Sequence, residues 1–418
     1  MPNIAASVGI IIESNQRIGL GLPSSTLLRV YVVDTSGSPV SGVSITFTAP
    51  LSGPSGTFAD SKNGTTVAVT DNNGIATTST FTANSISGNY LITAQADSIS
   101  KPTTFSLINS GLFVKQGGVD GSNTCTSPTS PCGSINQAID KASRSETIFV
   151  AAGTYTDPVH ITKDISLLGG WNSSFSTQNG ISVVDGQHIN DVIDFSLYNY
   201  FIVKLDHFGI LNGNSNYTWA GGINGNGSLT ILNSTVRGNF SKEGPGGIAF
   251  AKGDLTIVNT TVAENTTKTA GGGIYAKKTY LTILNSTIAN NHARLGGGVI
   301  GEGKIILGNS ILSNNKVQSY GPDCVGIDVS DHSIIGDTSN CSVKVSTGDK
   351  LNIDPLISDY PLNTPGYYAL QLNSPAIDAG NATICPLTDQ RGINRFPEIC
   401  DIGAYEYSLQ MQPLPLQW

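Results

Sequence analysis

Acids and histidines gather between residues 185 and 207, as Asp185, His188, Asp191, Asp194, Asp206 and His207. Brought together by successive turns of backbone, such a set could serve glycoside hydrolysis, which needs two carboxylates converging on one bond. A lyase would instead need a basic residue, with calcium-binding acids to neutralise an acidic sugar. Elsewhere the acids are sparse. From 221 to 315 they are Glu243, Asp254, Glu264 and Glu302, at no regular spacing. The histidines His160, His188, His207, His292 and His332 have no HExxH or triad context. The expectation is a non-catalytic chain, with residues 185–207 as the place where polysaccharide-cleaving chemistry would sit. A second cluster, Asp378, Asp389, Arg391, Arg395, Asp401 and Glu406, mixes both signs and reads as a salt-bridged lid, because ion-pair networks imitate active sites.

Six cysteines fall in three local pairs, Cys125/Cys132, Cys324/Cys341 and Cys385/Cys400. Six allow 15 connectivities. The sequential pairing is expected because each pair is close in sequence and bounds a Pro- or Gly-containing loop. None has the CxxC spacing of a zinc or redox site, so no metal site and no cofactor are expected, with calcium left open. Trp171, Tyr217 and Trp219, with Tyr198 and Tyr200, could form a sugar-stacking face, or pack within the fold. Asn63, Asn172, Asn216, Asn239, Asn265, Asn340 and Asn381 open Asn-x-Ser/Thr sequons, which are possible glycosylation sites in an exported chain.

The 418 residues are 12% charged, with 48 glycines and a net charge of −8. Such a chain is too apolar and too weakly charged for disorder. Without a basic cluster it offers no footprint for nucleic acid. Its longest apolar run near the start, Val8–Ile12, is far too short to cross a membrane, and no secretory leader is visible there. Scarce lysine, paired cysteines and sequons together suggest an extracellular or cell-surface setting.

Two kinds of element must hold these residues. Residues 27–34, 43–48, 66–71 and 90–96 alternate apolar and polar side chains between turn signals such as Asn72-Asn73-Gly74, predicting a β-sandwich over 1–109. Beyond it, four segments repeat: GGINGNGSLTILNSTVRGN (221–239), GGIAFAKGDLTIVNTTVAEN (246–265), GGGIYAKKTYLTILNSTIANN (271–291) and GGGVIGEGKIILGNSILSNN (296–315). Asn233, Asn259, Asn285 and Asn309 recur at one repeat position, and Asn239, Asn265, Asn291 and Asn315 at another. A fixed period with short β runs predicts stacked coils of a parallel β-helix over 112–407. Equivalent side chains then recur at the strand spacing of about 4.8 Å. Stacked asparagine amides can form hydrogen-bonded ladders, which is the role expected of Asn233, Asn259 and Asn285 ahead of glycosylation, although these three also open sequons. Ser134, ahead of Ile135, Ala138, Ile139 and Ala142, predicts a short N-capped helix covering the first coil. The pair Cys125/Cys132 would fasten the entry to that coil. The charged lid is placed at the other end, held by Cys385/Cys400, where an open edge would invite association.

These motifs carry family resemblances. VVDTSGSPVSGVSITFTAP, TDNNGIATTSTFTA and GNYLITAQA resemble the bacterial Ig-like repeats of invasin-type surface proteins, in which such modules are spacers. The GG-I and aliphatic-x-x-N repeats resemble polymorphic outer-membrane-type β-helix proteins, with Val236, Val262, Ile288 and Leu312 where that motif has Phe. The frame from SINQAIDKAS (134–143) and IFVAAGTYTDPVHI (148–161) through GPDC (321–324), SPAIDAG (374–380), TDQRGINR (388–395) and CDIGAYEY is similar to secreted bacterial right-handed β-helix proteins with a choice-of-anchor segment. The resemblance implies an all-β chain with an Ig-like β-sandwich, a right-handed parallel β-helix and a surface setting. It implies no reaction. The apolar tail 408–418, in which Leu414, Leu416 and Trp418 alternate, is expected either to trail as a linker or to add as a strand to another copy. The expected partners are thus a second copy or a cell-surface polysaccharide. The function expected is structural or adhesive, with carbohydrate binding as the alternative and a lyase or glycoside hydrolase behind it.

Overall fold

The computed structural model describes residues 5–11, 16–24, 26–97, 99–195, 200–217, 220–358, 366–395 and 400–407. It divides into two compact units, Met1–Leu112 with Thr126–Pro128, and Phe113–Cys125 with Thr129–Trp418.

The first unit is built from short, mainly antiparallel strands. Ser7–Ile10, Arg29–Val33 and Ile75–Thr77 form a three-stranded sheet. Gln16–Gly19, Thr103–Ser110, Gly88–Ala96, Ser44–Thr48 and Thr65–Val69 form a five-stranded one, in which Gln16–Gly19 pairs parallel. Alternation along the strands sends Val30, Val32, Ile45, Phe47, Ile92, Phe105 and Leu107 into one apolar core with Phe58 and Phe81. Burying side chains of this kind contributes roughly 1.5–3 kcal/mol each.

The second unit is a parallel β-solenoid of about seven turns. The coil from 248 to 267 shows its plan. Ile248–Val258 bends once and runs through a first sheet, Thr261–Ala263 lies in a second, and Thr266–Thr267 in a third. Each coil repeats the register of the one before, so Leu229, Leu255, Leu281 and Ile305 stack, as do Ile231, Ile257, Ile283 and Leu307. These stacked aliphatics are the solenoid's core and are fully buried.

The three disulfides follow the sequential pairing. Cys125–Cys132 fastens the entry to the first coil. There the Cys132 amide donates to Phe113 O and the Cys132 carbonyl accepts from the Lys115 amide, both at 2.8 Å. Cys324–Cys341 joins a buried to a half-buried residue near the last coils, and Cys324 bridges in parallel to Val299. Cys385–Cys400 closes the loop that carries Asp389, Arg391 and Arg395. Cys400 is fully buried, and its carbonyl accepts from the Gly380 amide at 2.8 Å.

The ends differ from expectation in detail. The helix Ile135–Lys141 buries Ile135, Ala138 and Ile139, but the Ser134 side chain makes no capping bond. Asp120 Oδ1 instead accepts from the Gly133 and Ser134 amides, at 2.9 and 3.2 Å. Asn136 docks the helix on the first coil through Pro158 O and the His160 amide. The charged C-terminal segment, with Cys385–Cys400, is not placed as a lid over the solenoid's end. It runs as a strap along the outer face of the second sheet, where Thr261–Ala263, Thr287–Ala289 and Ile311–Ser313 are buried on both sides. That face presents threonines, and the strap bonds them. Thr261 Oγ1 donates to Gln390 Oε1 at 2.6 Å, and Thr287 Oγ1 accepts from the Ala404 amide at 3.2 Å. Thr235 Oγ1 donates to Gly366 O at 2.7 Å.

Candidate functional site

Three features of the solenoid compete for a functional reading: the asparagine columns, the strap and a groove on the remaining face. The cysteines do not compete. Cys125, Cys132, Cys324, Cys341, Cys385 and Cys400 are all consumed by disulfides, which leaves no thiol to act as nucleophile or metal ligand.

The column Asn239, Asn265, Asn291 and Asn315 is a continuous amide ladder. Each Nδ2 donates to the Oδ1 of the next coil, at 2.9, 3.0 and 2.9 Å. Each also donates to a carbonyl of the preceding coil: Ile210, Val236, Val262 and Ile288. The ladder ends on Asp323, whose Oδ1 accepts from Asn315 Nδ2 at 2.8 Å. Burial pushes the Asp323 carboxyl up, against the bonds it accepts. The glycine doublets make room for the ladder. A Cβ on Gly247 would lie 2.5 Å from Gly273 O and 3.0 Å from Asn265 Nδ2, and Gly222, Gly273 and Gly298 repeat the constraint. Consequently Asn239 and Asn265 are not glycosylation sites in the folded chain. Both are buried with their amides bonded.

The column Asn233, Asn259, Asn285 and Asn309 behaves differently. All four adopt left-handed turns, with φ between 45 and 48°, as asparagine tolerates. Only Asn259 to Asn233 makes an amide–amide bond, at 3.2 Å. Asn233 donates on to Asp206 at 2.9 Å. Asn259 and Asn309 reach the strap at Thr388 O and Asn381 O. Asn309 Nδ2 also lies against the Cys385–Cys400 disulfide, 3.3 Å from Cys385 Sγ and 3.6 Å from Cys400 Sγ. The Asn285 amide is buried with no partner among the described residues. This column is thus a row of turns and strap anchors rather than a ladder. Of the remaining sequon residues, Asn63, Asn216 and Asn340 are exposed, whereas the Asn172 and Asn381 amides are bonded to Ser176 and Thr177, and to Asp331.

Two ion pairs hold the strap together, although the Arg395 Nε is buried without a partner among the described residues. Arg391 donates to Asp389 and lies 3.6 Å over the Tyr405 ring. Arg395 pairs with Glu406 at 3.0 Å and donates to Gly403 O and Asn259 Oδ1. Burial, with the Glu406 and Asp378 charges, pushes the Asp401 carboxyl up to about 7.

The residues between 185 and 207 are not brought into one site. Asp185 ends its strand and accepts from the Gln187 amide and Asn212 Nδ2. Asp206 pairs with Lys204 and His207 at a different corner. There burial pushes it up, but bonding to His207 and the His207 and Lys204 charges outweigh this and leave it below the usual carboxylate range. His188 contributes its backbone carbonyl to Asn214. Among the acids, the neighbouring pair is Asp191 and Asp194. Asp194 meets the His160 ring, while burial and the Asp194 charge push Asp191 up, and Asn224 hydrogen-bonds it.

These two acids border a face of the solenoid that, among the described residues, neither ladder nor strap covers. His160, Asp194, Asn224, Ala249, Tyr275 and Ile300 stack outward on successive coils. The small Ala249 between Asn224 and Tyr275 opens a groove of about 360 Å³. Gly225 lets the Phe195 and Phe250 rings close in against the backbone, since a Cβ there would meet both, and all three residues line the groove. Glu243 and Lys277 line opposite loops, and neither makes an ion pair among the described residues. Sequence reasoning missed this column, although its signal was present: it is the residue after each GGI or GGV. The aromatic residues expected either to form a sugar-stacking face or to pack within the fold divide between the two. Trp171 packs on Phe149, centroids 5.2 Å apart, and Phe149 stacks on Phe113. Tyr217 is 72% exposed on a loop. Trp219, Tyr198 and the tail residues Leu414, Leu416 and Trp418 lie outside the described residues.

No protein-family model matches the chain, and no curated protein matches it. The solved structure of domains 4 and 5 of the S-layer protein SbsC is similar over 25% of this chain and 52% of that chain. The identity is 14% and the TM-score 0.18. The match therefore spans about half of that chain.

Proposed function

We propose that the chain is a non-catalytic structural protein of the extracellular surface, with its first unit an Ig-like spacer and its solenoid a stiff, self-associating or adhesive element. What supports this reading is the use made of the solenoid's polar side chains. One column is consumed by the amide ladder, another by turns and strap anchors, and both arginines of the C-terminal cluster by ion pairs within it. The acids at 185, 194 and 206 face different partners, and in the one neighbouring pair Asp191 is bonded by Asn224 and Asp194 by His160, which favours a non-catalytic reading over the paired-carboxylate chemistry of hydrolysis. Three disulfides suit an oxidising compartment. No helix among the described residues is long and apolar enough to cross a membrane. Self-association is assigned to the tail with Leu414, Leu416 and Trp418, by strand addition to another copy. A heterologous contact of this kind that does not close makes a filament. Electron microscopy of the purified chain with and without residues 408–418 tests it. Ordered fibres lost on truncation are expected, and monodisperse particles in both samples would remove the assembly part of the reading.

A further inference from the structure

The groove beside Tyr275 stands apart from the features that hold the fold together. Its strands are already paired on both sides: Ile274–Ala276 bonds Ile248–Val258 on one side and Val299–Gly301 on the other. No backbone edge is therefore offered to an incoming peptide strand, which removes β-augmentation as the mode of binding. What the groove offers is side chains. Tyr275 supplies a ring, held by its hydroxyl donating to Glu302 at 3.1 Å. Pro245, Ala249 and Ala270 supply apolar walls. Asn224 is fixed in place by bonding both the amide and the carbonyl of Ala220.

Charge narrows the ligand further. Glu243 and Lys277 are the two charged side chains that line this groove, one an acceptor and the other a donor. An acidic ligand would meet Glu243 and the neighbouring Asp191 and Asp194, and a cationic one would meet Lys277. A hydroxyl group suits both, because it donates and accepts. A pyranose ring combines such hydroxyls with an apolar face that packs on an aromatic ring. The groove's size is at the small end of the range for ligand pockets. We propose that this groove binds a neutral mono- or disaccharide, its ring against Tyr275 and its hydroxyls between Lys277 and Glu243. Such a site would give the surface element a glycan to hold, and it does not depend on self-association.

The test is saturation-transfer NMR and calorimetry on the full chain. The probes are glucose, galactose, mannose, N-acetylglucosamine, their disaccharides, and digalacturonate. At least one neutral sugar should bind, at least tenfold more weakly to Tyr275→Ala and to Ala249→Trp, which fills the groove, while Tyr275→Phe keeps binding. If Tyr275→Ala does not fold, Ala249→Trp and Lys277→Ala decide. The proposal fails if no neutral sugar binds, if binding ignores these substitutions, or if digalacturonate is preferred.

Discussion

Replacing Asn265 by alanine removes the middle rung of the amide ladder, and the cost can be worked out bond by bond. Its Oδ1 accepts from the Asn239 amide at 3.1 Å and from Asn239 Nδ2 at 2.9 Å. Its Nδ2 donates to Val236 O and Asn291 Oδ1, both at 3.0 Å. Asn291 Oδ1 keeps a second donor, the residue 265 amide at 3.0 Å. The Asn239 backbone N–H and one of its side-chain hydrogens would lose their partner in a buried site. An unsatisfied buried donor costs about 1–3 kcal/mol, so two give roughly 4 kcal/mol before any cavity term. Asn285→Gly is the control. That amide has no partner among the described residues, and glycine suits its φ of 45°, so the change should stay within about 1 kcal/mol. Urea unfolding followed by tryptophan fluorescence reads the difference, because all three tryptophans (171, 219 and 418) fall within the sequence of the second unit. Equal losses for the two variants would refute the ladder as the stabilising device.

Three further outcomes are expected. Gly247→Ala drives a Cβ into Gly273 O and the Asn265 amide; it should cost more than about 3 kcal/mol or prevent folding, and wild-type melting would contradict the packing. Arg395→Ala leaves Glu406 buried without its cation, a loss of about 3–5 kcal/mol that Arg395→Met with Glu406→Leu should largely restore. Asp401 titrates near 7 in the fold against an ordinary 3.8. Its contribution to stability is therefore fully present below about pH 4 and is lost as pH rises through 7. The unfolding free energy should fall between pH 5 and pH 8 by up to a few kcal/mol, at about 1.4 kcal/mol per pKa unit. In Asp401→Asn this slope should flatten, and an unchanged slope would place the effect elsewhere.

The repeats made the solenoid legible, because stacking forces the same residue type onto each coil. Asn239, Asn265, Asn291 and Asn315 recur for that reason, and their neighbours in the structure are one period away. The cysteine pairing was legible for a related reason: Cys132, Cys341 and Cys400 each close a short loop back to the cysteine before them, 7, 17 and 15 residues away. What Cys385–Cys400 holds was not legible, since it closes a strap along the sheet rather than a lid over the end. The fate of Asn259 and Asn309 could not be read from the period either. Their partners Thr388 and Asn381 lie 129 and 72 residues on, in a segment with no period. The strap's place followed from the threonine face of the second sheet, a pattern that looks like ordinary β propensity until something covers it. For Trp171 platform and packing both stayed open in the sequence, because the residue type does not say what lies against it; in the fold it packs on Phe149. Apart from the Asp191–Asp194 pair, acids close in sequence at 185–207 were separated because the chain turns corners between them, so proximity along the chain became distance across coils.

The central claim, a structural element displayed outside the cell, is tested most directly by gold labelling of intact source cells. The antibody would be raised against the solenoid, and labelling compared before and after permeabilisation. The account predicts dense label on the outer surface of intact cells, unchanged by permeabilisation. Label that appears only after permeabilisation would contradict it.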